Sequence, residues 1–120
     1  MFARRQRVPR ARFPEIIRYG ASFHDPFLTL RILLKDKGME PRALPESSWA
    51  VVVGVKVARL AKDRNLLKRR LRTILRELAP AVKKNYYYLI FLRPGARKLD
   101  FSQLKLEVEQ IFKKARLIIQ

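Results

Sequence analysis

The chain has 120 residues, with 28 Lys and Arg against 10 Asp and Glu, a formal net charge of +18 and no cysteine. That length suits one domain that can bury a core without a metal or crosslink, and no apolar run approaches the ~20 residues of a membrane-spanning helix. The charge opposes compaction and favours a polyanionic partner, with nucleic acid and a membrane surface as the two candidates. The missing cysteine fits a reducing compartment without requiring one.

Residues 1–12 carry Arg4, Arg5, Arg7, Arg10 and Arg12 around Pro9 and read as a flexible or extended basic arm. They lack the apolar segment of a secretory signal. Their arginines leave a mitochondrial presequence as the competing reading, disfavoured because the next residues already belong to a fold. Pro14 in a first turn, an apolar side of Phe13, Ile16 and Ile17, and Gly20 as a stop predict a two-turn helix. Ala21 to Phe23 suits a short strand, and after the His24-Asp25-Pro26 turn Phe27 to Lys35 suits a second. Its alternation sets Leu28, Leu30, Ile32 and Leu34 towards the core and Phe27, Thr29, Arg31 and Leu33 towards a partly open surface. Asp36 to Ser48, with Gly38, Pro41 and Pro45, reads as a loop, and Trp49 to Val57 as a third strand with Lys56 facing away from its valine row.

The chain is organised around Ala61 to Leu78. At about 100° per residue, Leu67, Leu71, Ile74, Leu75 and Leu78 form one stripe, while Asn65, Arg69, Arg72 and Arg76 point the other way, flanked by Lys62 and Lys68. A solvated basic face is the bland reading. Against it, like charges at i,i+3 and i,i+4 repel by a few tenths of a kcal/mol per pair, and only Glu77 relieves them; an external anion removes that cost. The apolar stripe is matched by other apolar elements that need covering, which favours a folded nucleic-acid binder over a membrane-surface helix. Tyr86 to Leu92 then reads as a strand buried on both sides, and Asp100 with Gln103 as a capping box opening a helix through Phe101, Leu104, Val108, Ile111, Phe112 and Ala115. The order is helix, strand, strand, strand, helix, strand, helix, an α+β sandwich in one domain.

No catalytic constellation emerges. His24 is the only histidine and sits in a turn, the acids are scattered, Glu107 and Glu109 are two apart on a helix and cannot share a metal, and no Gly-rich phosphate loop occurs.

Ala61, Arg64-Asn65, Leu67, Lys68-Arg69 and Arg72 resemble the signature of the bacterial ribonuclease P protein subunit. The likeness extends to Phe13, Ile16 and Gly20 in the first helix, to Val53 to Lys56, and to Leu92-Arg93-Pro94-Gly95-Ala96 with Asp100-Phe101. Three positions depart from the pattern: Leu66 replaces a usual basic residue, Arg59 a usual glycine, and Ile17 a common second aromatic.

The resemblance implies a two-layer sandwich on a four-stranded sheet, similar to a known ribosomal-protein domain. Its β-α-β crossover would be left-handed, against the right-handed form that chain chirality favours in about 98% of cases. It further implies that Lys62, Arg64, Asn65, Lys68, Arg69, Arg72 and Arg76 dock on a catalytic RNA subunit. Phe13, Ile17, Phe27, Arg31 and Lys56 would line a cleft for the single-stranded 5′ leader of precursor tRNA. Phe13 and Phe27 admit core packing and base stacking equally. Mg²⁺ held mainly by the RNA would do the chemistry, and the protein would be a cytoplasmic monomer outside its ribonucleoprotein. The rival readings are a ribosomal or chaperone-type RNA-binding module and a self-sufficient nuclease.

Overall fold

In the computed structural model, residues 2–36 and 45–119 are described. They form α1 (Phe13–Tyr19), β1 (Ala21–His24), β2 (Leu28–Leu34), β3 (Ser48–Val52), α2 (Ala61–Leu78), β4 (Tyr86–Leu92) and α3 (Phe101–Lys114). The loop read over Asp36 to Ser48 lies mostly outside the described residues. The element order is the one expected, and the strands form a single sheet in the order β1-β2-β4-β3. β1 pairs with β2, and β2 with β4, antiparallel, whereas β3 runs parallel to β4, so α2 is the long crossover that a parallel pair requires.

β4 is central because both of its faces are apolar. Tyr88 and Ile90 join Leu28, Leu30 and Trp49 in the main core under α2 and α3, while Leu89 turns the other way onto Ile16 of α1 and Val8. Leu28, Leu30 and Ile32 are buried as strand alternation predicts. On α2 the stripe Leu67, Leu71, Ile74 and Leu75 is buried, each side chain supplying about 1.5–3 kcal/mol. An aromatic group fills the centre: the Trp49 ring centroid lies 4.5 Å from that of Tyr88 and 6.0 Å from that of Phe112. α1 thus adds a partial third layer on the far side of the two-layer body.

Helix ends follow local chemistry. Asp100 Oδ1 accepts the Gln103 N–H at 2.8 Å, and the Gln103 side chain accepts the Asp100 N–H at 2.9 Å, the reciprocal capping box. Phe101, expected on the apolar side, is instead exposed, because as the first residue of α3 it lies beyond the sheet contacts of Leu104 and Val108. Gly20 ends α1 in extended conformation, φ −76°, so no left-handed turn demands glycine there. Close approach does: a Cβ would collide with the carbonyl oxygens of Ile16 and Ile32. Gly20→Ala is expected to cost about 1–3 kcal/mol, measured as a shift in the urea midpoint with an unchanged slope.

Two expectations give way. The third strand stops at Val52; Val53 is buried, Gly54 begins a turn, and Val55 and Lys56 are exposed on it while Val57 folds back inside. Strand alternation therefore does not govern Lys56. The basic arm, read as flexible or extended, is folded in short turns at Arg4–Gln6 and Arg10–Arg12. Its apolar residues are the reason: Phe2 stacks on Trp49 at 5.8 Å with rings 3° from parallel, and Val8 is buried beside Ile16.

Candidate nucleic-acid interface

β3 is an edge strand, and its outer side would present unpaired backbone groups if left bare. The arm covers part of it: the Val8 N–H donates to the Trp49 carbonyl at 3.0 Å, and Arg7 bridges to Trp49 in parallel sense. Beside this contact a cleft of about 690 Å³ runs along β3. Arg7, Arg10 and Phe13 form one wall, Ala50 to Val53 the floor, and Lys68 and Arg72 of α2 the other wall. Two guanidinium groups and a half-buried phenyl ring thus face an ammonium and a third guanidinium across an apolar floor. The chemistry suits a strand that carries both phosphates and flat bases.

The expected site residues divide. Phe13, assigned to one surface, and Lys68 and Arg72, assigned to another, meet in this cleft, whereas Ile17, Phe27, Arg31 and Lys56 do not line it. Phe27 precedes β2 and packs against the helix-side core, its ring edge about where a Cβ on Gly95 would touch. Strand alternation puts Phe27 on the opposite face only if the strand includes it, and β2 begins at Leu28. Arg31 does face the α1 side, where its Nη1 donates to the Ile17 carbonyl at 3.1 Å and caps the last turn of α1. Ile17 itself is exposed.

Arg64 is likewise engaged: its Nη1 donates to the carbonyls of Ala58 (3.0 Å) and Arg59 (2.7 Å), pinning the turn into α2. Lys62, Asn65, Arg69 and Arg76 are exposed on the outer side of the helix, with Leu66 among them. Arg7 and Arg10 were not among the expected site residues. Their charge was visible in the sequence, but their position depends on Phe2 and Val8 anchoring the arm.

Several acids serve the fold. Asp25 Oδ1 accepts the N–H groups of Phe27 (2.7 Å) and Leu28 (2.8 Å), and Glu15, Glu46 and Glu77 pair with Arg12, Arg5 and Lys105. Among the described residues no group of three or more His, Asp or Glu is placed to hold a metal ion. Lys35 is also structural: Nζ donates to the Glu46 carbonyl (2.8 Å) and to Ser48 Oγ (2.7 Å). Burial pushes its ammonium below the usual lysine range, with Glu46 opposing the shift. No helix among the described residues is long and apolar enough to cross a membrane.

The fold and cleft define a small, strongly basic α+β domain with a cationic, aromatic-flanked groove. The chain matches the ribonuclease P family model over residues 2–116. It belongs to the ribonuclease P protein family. The ribonuclease P protein component of Microcystis aeruginosa is 33% identical over 109 residues, covering 91% of this chain and 88% of that protein. That of Synechococcus elongatus is 34% identical over 111 residues, with the same coverage. In fold, the chain is similar to the Staphylococcus aureus RNase P protein (TM-score 0.79, 18% identity, 94% of this chain and 97% of that one). The Thermotoga maritima RNase P protein is similar too (TM-score 0.77, 23% identity, 92% and 97%).

Proposed function

We propose that the chain is the protein subunit of a ribonuclease P, which binds a catalytic RNA and the 5′ leader of precursor tRNA and so promotes endonucleolytic maturation of the tRNA 5′ end. The observation that carries this reading is the cleft in which Phe13, Arg7 and Arg10 face Lys68 and Arg72, within a family member of net charge +18. A single strand fits its chemistry: guanidinium and ammonium groups hold phosphates, and the phenyl ring offers a stacking surface worth about 1–3 kcal/mol per base. The exposed outer residues Lys62, Asn65 and Arg69 are the docking face for the catalytic RNA, while Arg64 supports that face by fixing the turn into α2.

In this reading the protein does not cut the phosphodiester. Mg²⁺ on the RNA supplies the activated water. The chain holds the leader and screens phosphate repulsion between two RNAs, an effect that weakens with added salt. The engaged carboxylates of Asp25, Asp100, Glu15, Glu46 and Glu77 support this division of labour. Activity would reside in the cytoplasm, with precursor tRNA.

The test is cleavage of a precursor tRNA at low Mg²⁺ by a bacterial ribonuclease P RNA alone, the protein alone, and both together. Cleavage at the mature 5′ end by the mixture only is the expected result. A protein that adds nothing is an RNA-binding module of another kind, and one that cuts unaided carries an active site of its own.

A further inference from the structure

A second hollow, of about 280 Å³, lies at the C-terminal end of α2. Phe2 and Trp49 border both it and the larger cleft, so the two hollows are neighbours, with the arm between them. Its cations are Arg76, Lys83 and Lys84, all exposed and, among the described residues, in no ion pair; Glu46 at its margin is already held by Arg5 Nε at 2.9 Å. The two hollows are joined along the helix. Lys68 and Arg72 line the first and Arg76 the second, an i, i+4, i+8 ridge that advances roughly 12 Å at the α-helical rise.

The backbone of Lys83 is held firmly. The Lys83 carbonyl accepts from the buried Tyr88 hydroxyl (2.6 Å) and from Ser47 Oγ (3.1 Å), and the Lys83 N–H donates to the Leu117 carbonyl (2.9 Å). Burial pushes the Tyr88 phenol above its usual range, so it remains a donor. Asn85 follows in the left-handed region, φ 74°, with its N–H on the Pro45 carbonyl and its carbonyl taking the Lys35 N–H. Arg76 at the end of α2 and the adjacent Lys83 and Lys84 therefore bring three like charges to one hollow that Phe2 and Trp49 border.

We infer that this hollow is a second phosphate-binding subsite for a single RNA strand, in which Arg76, Lys83 and Lys84 take the phosphates of nucleotides beyond those in the first cleft. The inference rests on the leader reading proposed above. The test measures binding of labelled oligouridylates of about 4 and about 12 nucleotides, within the range of single-strand site sizes of small domains. It compares the full chain, the Lys83→Ala/Lys84→Ala variant, and an Arg97→Ala/Lys98→Ala control that removes the same charge outside both hollows.

The wild type is expected to bind the longer strand more tightly. The lysine variant should lose roughly tenfold in affinity for it and about 1.4 from its salt slope, two contacts at about 0.7 each, while the short strand changes less than about twofold. Equal losses for both lengths, or losses matched by the control, mean general electrostatics and overturn the inference. So does a wild type that binds the short strand and gains nothing with length, which leaves the first cleft standing. A wild type that binds neither length overturns the leader reading and this inference with it.

Discussion

Replacing Lys68 and Arg72 together by alanine is expected to weaken single-stranded RNA binding roughly tenfold near physiological salt and to lower the salt slope by about 1.4, the loss of two phosphate contacts. The two side chains are one helical turn apart, half-buried in the cleft wall opposite Phe13, and their positions are fixed by the buried stripe behind them. The expected signature is electrostatic: the defect shrinks as salt rises, and the fold is unaffected because neither residue belongs to the core. A Phe13→Ala variant separates the other component. Loss of a stacking surface lowers affinity with little change in salt slope, since a phenyl ring displaces no counterions. Titrations with a labelled oligonucleotide at several salt concentrations read both quantities. A double variant whose slope stays at the wild-type value would place the phosphate contacts elsewhere.

Phe112→Ala is expected to bring the protein to the edge of unfolding. The side chain is fully buried, 5.4 Å from Tyr88 and 6.0 Å from Trp49 between ring centroids, and joins α3 to β4 and β3. Truncating a buried Phe costs about 3–5 kcal/mol, against a total of about 5–15 for a domain of this kind. Trp49, the single tryptophan, reports the transition directly by its fluorescence. Leu106→Ala on the same helix is the control: Leu106 is 54% exposed, and its loss should change stability by no more than about 0.5 kcal/mol. Because a net charge of +18 opposes the compact state, added phosphate or sulfate should recover part of the Phe112→Ala loss. An unchanged melting temperature for Phe112→Ala would mean that the aromatic cluster is not the centre of the core.

What proved legible were features whose signals are local. The bounds of α2, the capping box at Asp100 and the four strands follow from periodicity and from turn chemistry within a few residues. Lys56 and Phe27 depart from strand alternation for one reason: β3 and β2 do not reach them, and a strand's ends depend on pairing with its neighbour, which its own residues do not record. Arg31 and Arg64 carry charge like their neighbours, yet each guanidinium reaches a backbone carbonyl that only the folded chain puts in range.

By itself the sequence determined that this is one basic domain, with a helix that is apolar behind and cationic in front, in which Arg64-Asn65 and Lys68-Arg69 resemble the ribonuclease P protein signature. Charge and helical periodicity depend only on the order of residues, so both can be read before folding. Tertiary structure alone decided that the arm's Arg7 and Arg10, the α1 ring of Phe13, and Lys68 and Arg72 of α2 share one cleft. That meeting depends on β3 being the edge strand and on Phe2 and Val8 burying themselves against it, which are long-range outcomes of packing that no local pattern encodes.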